Sequence, residues 1–116
     1  MRNFDLLISE FNALQKKFGY LQTISLRRDI YENNCSKYLL ELILSAYPSS
    51  QRNKKFEINF SGVRGFNISN IDGLIAISIN IADISTDQME EINYYVKEDE
   101  NDLFSFYCSN FNFNVR

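Results

Sequence analysis

The stretch from Lys55 to Ser85, KFEINFSGVRGFNISNIDGLIAISINIADIS, limits what this chain can fold into more than any other part of it. Phe56, Ile58 and Phe60 alternate with Glu57, Asn59 and Ser61, the two-residue period of a strand with one wet face. Gly62 and Gly65 bracket Val63-Arg64 and admit backbone angles that a side chain forbids, so the pattern predicts a tight turn there. Asp72-Gly73 is a second turn signal, after which Ile75, Ile77, Ile79 and Ile81 again share one face.

The flanking segments read as cover and continuation for this pair. Phe4, Leu7, Phe11, Leu14 and Phe18 recur at three- and four-residue steps, one face of a helix, with Asn3 placed as its N-cap and Gly19 as its stop. From Tyr20 to Tyr31 the pattern turns β, with Tyr20, Ile24, Leu26 and Ile30 on one parity; Glu32-Asn33-Asn34 reads as a hairpin turn. Tyr38, Leu40, Leu42 and Leu44 alternate as a second strand; Leu39, Leu42 and Ile43 also suit a helix, and Pro48 with its β-type neighbours decides for strand. Ile92, Tyr94 and Val96 begin another strand, Lys97 to Asp102 make a charged turn, and Leu103 to Val115 return. Phe104, Phe106 and Cys108 have one parity and Phe111, Phe113 and Val115 the other, so a bulge or bend is expected near Ser109-Asn110. The expectation is an α+β fold in one domain over residues 1–116: an N-terminal helix packed on a mostly antiparallel, curved sheet of about six strands, connected as a sequential meander.

Composition mainly excludes. The chain has no histidine, which removes Ser-His-Asp and Cys-His nucleophilic schemes and the usual zinc sites. It carries no GxGxxG or GxxxxGK[ST] phosphate cradle. Cys35 and Cys108 have neither CxxC spacing nor a basic neighbour and read as two buried small apolar residues. Asp5 and Glu10 interrupt any apolar leader, and no run approaches the roughly 20 apolar residues of a membrane span, so a cytoplasmic protein with no membrane partner is expected. Neither a cofactor nor a metal is called for, and the acidic cluster lacks the spacing of a calcium loop.

Charge is unevenly spread. Eight acids (Asp83, Asp87, Glu90, Glu91, Glu98, Asp99, Glu100 and Asp102) face Lys97 alone, whereas Met1 to Arg64 holds ten Lys/Arg against six Asp/Glu. An acidic net balance of −3 argues against a nucleic-acid partner despite the pairs Lys16-Lys17, Arg27-Arg28 and Lys54-Lys55. The acidic stretch reads as an exposed, solvated turn whose field steers a basic protein partner. Seven tyrosines add rigid, amphipathic contact groups.

The pattern F-x-I-x-F-x-G-V-x-x-F-N-I-x-N from Phe56 to Asn70, the isoleucine-rich strand after it, and the acidic hairpin leading into Phe104 to Cys108 resemble small immunity proteins of bacterial polymorphic toxin and contact-dependent inhibition systems. The resemblance covers the C-terminal half. It implies a non-enzymatic protein that binds a cognate toxin domain, nucleases being one class of target, and blocks it by occlusion. The partner-binding residues are then Asp87, Glu90, Glu91, Tyr94, Tyr95, Glu98, Asp99, Glu100 and Asp102, on a monomer or homodimer. Two other readings stand beside it: a structural or adaptor protein self-associating through the Phe111–Val115 edge, and a small-ligand-binding domain.

Overall fold

The computed structural model describes residues 3–30, 36–46, 54–69, 76–87 and 92–116. One helix, α1 (Asn3–Gln15), precedes seven strands: β1 (Tyr20–Ile30), β2 (Ser36–Ser45), β3 (Lys55–Ile68), β4 (Ile79–Asp83), β5 (Tyr94–Glu98), β6 (Phe104–Cys108) and β7 (Asn110–Val115). The expected Asn3 cap, the Phe4 side chain, the turns at 32–34 and 72–73, and Cys35 lie outside the described residues or side chains.

The apolar face of α1 packs as its spacing requires. Phe11 is fully buried, 5.6 Å from Phe56 and edge-on to Phe111 and Phe113 at 5.9 and 5.6 Å. The helix closes earlier than Gly19, with Lys17 N and Phe18 N donating to Leu14 O and Gln15 O in a tightened last turn. Gly19 is not in the left-handed region; its carbonyl instead accepts from Ile77 N at 2.8 Å. The buried Gln15 side chain pins this corner: Nε2 donates to Phe18 O and Ile77 O, and Oε1 accepts from Ile79 N.

β1 pairs with β2 and β2 with β3, setting Leu40, Leu42 and Leu44 opposite Phe60, Ile58 and Phe56 on the inner face. A bulge between Leu21 and Thr23 shifts the phase of β1, so Leu21, not Tyr20, joins Ile24 in packing on the core. The strand order is β1-β2-β3-β6-β5-β4, with β7 also on β3. A sequential meander therefore holds for β1–β3 and for β4–β6, but not between them. The chain crosses from β3 to the far edge and works back, a Greek-key path, because the edge of β3 away from β2 is taken by β6 and β7.

The two glycines do not turn the chain. Gly62 and Gly65, at φ +65° and +63°, lie inside one continuous strand and bend it. Opposite them Ser109 N and Asn110 both face Ser61, with Ser109 N donating to Ser61 O at 3.0 Å: this is the expected bulge, and it divides one stretch into β6 and β7. A Cβ on Gly62 would lie 2.3 Å from Ser109 Oγ, so the bend needs glycine for its angle and for its close approach. The bent pair splits the sheet into a half built from β1, β2, β3 and β7 and a half built from β3, β6, β5 and β4. The sheet curls until its ends meet at a Tyr20–Ala76 bridge, with the core inside the curl.

Candidate functional site

The acidic turn is the β5–β6 hairpin, and its geometry is set by Glu98. Tyr94, Val96 and Glu98 share one parity of β5 and all point inward. Glu98 has no exposed surface, which corrects the expectation that every acid of this turn is solvated. Its carboxylate receives four backbone donors: Ser78 N and Glu100 N on Oε2 at 3.0 and 2.9 Å, Asn101 N and Leu103 N on Oε1 at 2.9 and 3.1 Å. A buried charge is tolerated because its lone pairs are filled by N–H dipoles.

Outside contacts fix the same hairpin. Asp99 N donates to Ser78 O at 2.8 Å, and Ser69 N donates to Leu103 O at 2.8 Å. Asp102 has φ +50°, an angle that aspartate adopts more readily than most residues. The result is a braced loop that holds Asp99, Glu100 and Asp102 exposed. Asp102 lies 3.5 Å from Lys97 Nζ, both well exposed, so this pair adds little stability.

The structure sorts the sequence-predicted site residues. Tyr95 faces out and meets Tyr107 at 5.0 Å, and a hollow of about 120 Å³ lies beside it, lined by Lys97, Asp102, Ser105 and Asn67. Tyr95 and Asp102 both line this hollow, while Asp99 and Glu100 are exposed on the hairpin beyond Glu98. Tyr94 and Glu98 do not join them; Tyr94 is 1 % exposed, edge-on to Phe111 at 4.9 Å. Asp87 ends a 3-10 turn, Ser85–Asp87, whose entry is held by Asp83 Oδ1 accepting from Ser85 N at 2.9 Å. The Asp87 side chain, and Glu90 and Glu91 altogether, lie outside the described residues.

Sequence reasoning missed Tyr107, although its parity opposite to Phe106 puts it on the wet face. It also missed a trough of about 280 Å³ on the outer face of the other half, lined by Ser25, Arg27, Leu39, Glu41, Asn59 and Asn112. Cross-strand register aligns Ser25, Glu41, Asn59 and Asn112 in one row, and Asn59 Nδ2 donates to Asn112 Oδ1 at 3.4 Å. Only the pairing of four strands reveals that row.

Burial pushes the Cys108 thiol up to about 12, far from a thiolate at neutral pH. Among the described residues no three His, Cys, Asp or Glu side chains converge to hold a metal, and no helix is long and apolar enough to cross a membrane.

No curated protein and no solved structure matches this chain. One family model does, that of immunity protein PIM8, over residues 5–114. The match takes in most of α1, the bent β3, the braced hairpin and nearly all of β7. This chain belongs to the PIM8 immunity protein family.

Proposed function

We propose that this immunity protein binds a cognate bacterial toxin domain in the cytoplasm and covers its active site or substrate groove, with no chemistry of its own. The braced β5–β6 hairpin carries this reading. Asp99 and Glu100 are exposed on a loop whose backbone is already tied down by Glu98, Ser69 and Ser78, so little entropy is lost on docking. A fixed acidic loop suits a basic groove of the kind a nuclease uses for its substrate, with the carboxylates standing where phosphates would. Tyr95 and Tyr107 supply the amphipathic contact area beside it. The ligand-binding alternative has less support: the 280 Å³ trough falls below the roughly 300–1,000 Å³ of ordinary small-molecule sites.

The test is co-expression with a bacterial toxin domain found to co-purify with this chain, scored for growth and for complex formation. The pair Asp99→Lys and Glu100→Lys should fold normally and slow toxin association by about 10-fold or more at low salt, the gap closing at high salt. An unchanged on-rate at low salt would remove the electrostatic role of the hairpin. A toxin that neither binds nor is neutralised by the unaltered chain would remove the occlusion reading itself.

A further inference from the structure

The outer face of the β1–β2–β3–β7 half holds a charge that the fold does not use. Glu41 stands in the middle of β2, half-buried among the residues that line the 280 Å³ trough. Its neighbours on the same face of that strand, Leu39 and Ile43, are apolar, and the residues directly opposite are Ser25 and Asn59. Among the described residues Glu41 makes no hydrogen bond and no ion pair. Glu98, by contrast, is buried with four backbone donors on its carboxylate. A carboxylate that gives up water and gains no donor is a cost to the free chain, which a partner from outside would offset.

The row around it is short of donors. Asn59 Nδ2 donates to Asn112 Oδ1 at 3.4 Å, so this amide serves β7 and not Glu41. Arg27, one rung away opposite Leu39, is engaged in contacts of its own. What remains is one negative charge with the oxygens of Ser25, Asn59 and Asn112 in the same row. Every residue lining the trough lies on one of four paired strands and is described, so its walls are fixed by the sheet itself.

We propose that this trough receives an arginine side chain of the toxin domain, its guanidinium on Glu41 and its methylene stem along Leu39. A planar fork of five donors matches a carboxylate flanked by further oxygens, which a compact ammonium does less well. Half-buried Leu39 is the apolar wall that such a stem covers. A volume of about 280 Å³, short of an ordinary small-molecule site, suits one long side chain. The occupant rests on the toxin-blocking reading, since a basic substrate groove is a source of arginines. The trough and the hairpin then divide the work: the exposed acids of the hairpin act at a distance on the rate of encounter, and Glu41 acts in contact on the rate of escape.

Titration of the isotope-labelled full chain with N-acetyl-arginine amide up to about 50 mM, followed by NMR, should shift the amide signals of Ser25, Glu41, Asn59 and Asn112. The citrulline analogue, alike in shape but uncharged, should bind at least about 5-fold more weakly. Glu41→Gln should abolish that preference and, with no partner lost in the free chain, keep the melting temperature within about 2 °C of the parent or above it. Against the toxin domain that co-purifies with this chain, Glu41→Gln should raise the off-rate about 10-fold or more and leave the on-rate within about 2-fold. Absent shifts, or equal binding of arginine and citrulline probes, overturn the proposal. So does a Glu41→Gln protein that melts well below the parent, because the carboxylate would then be structural. A toxin still held with an unchanged off-rate by Glu41→Gln overturns this proposal alone, whereas a chain that takes the arginine probe but holds no toxin overturns the toxin-blocking reading and this occupant with it.

Discussion

Glu98→Gln tests whether the hairpin is braced by a charge or only by its shape. Glutamine fills the same volume but presents one oxygen and one NH2 to a site with four N–H donors. The oxygen can keep two partners; the NH2 meets the other two as donor against donor. Hydrogen bonds to a charged group are each worth about 1.5–3 kcal/mol, and a buried donor left alone costs about 1–3 kcal/mol. Glu100 and Asn101 are exposed, so their amides recover part of that loss from water. The net cost is about 2–4 kcal/mol for glutamine and about 3–5 kcal/mol for Glu98→Ala, which also leaves a hollow. At about 3–6 °C per kcal/mol for a chain of this size, glutamine lowers the melting temperature by roughly 6–24 °C. Glu100→Gln, one exposed carboxylate away, should stay within about 0.5 kcal/mol. Thermal melts of the three variants, with hydrogen exchange at Ser78, Glu100, Asn101 and Leu103, read the effect directly. A Glu98→Gln protein melting within about 2 °C of the parent, with those amides still protected, refutes the brace.

Gly62→Ala should cost about 2–4 kcal/mol in urea denaturation, combining the left-handed angle with the Ser109 clash, whereas Gly65→Ala, whose Cβ finds only Tyr107 at 3.7 Å, should cost about 1 kcal/mol. Adding Ser109→Gly should recover part of the Gly62→Ala loss; equal costs at the two glycines would contradict the close approach. In a Cys35→Ser background the Cys108 thiol should resist thiol reagents at pH 8 until the protein unfolds. Its folded pKa, about 12, lies above that of the unfolded thiol, near 8.5, so unfolding releases a proton in that window. The stability advantage of the parent over Cys108→Ala should then be constant below about pH 8.5 and shrink by about 1.4 kcal/mol per pH unit above it. A difference that is flat with pH would contradict the burial.

The local half of this fold was legible from residue patterns: the face of α1, the alternations of β2 and β3, and the phase slip at Ser109 were all visible. What depended on pairing was not. The positive φ of Gly62 and Gly65 is a local property, but whether such residues reverse a chain or bend it is decided by the strand alongside, β6 and β7, far away in sequence. The bulge at Leu21–Thr23 displaced Tyr20 from the core for the same reason. Glu98 was readable, since it shares parity with Tyr94 and Val96, but its charge drew it into an acidic surface when its phase placed it inside. The polar trough spans β1, β2, β3 and β7 and has no counterpart in any single segment.

The shared strand also carries a consequence for synthesis. β3 is the middle member of the sheet, yet the residues that complete its second edge are translated on the order of 50 positions later, Asn110 against Ser61. At about 5–20 residues per second, that edge waits roughly 3–10 s after β3 is made. During that interval Phe56, Ile58 and Phe60 belong to a nascent chain that can pair β3 with β2 but cannot close its core. The two half-sheets that meet on β3 exist only once β6 and β7 have emerged, so this chain completes its fold at the very end of its own synthesis.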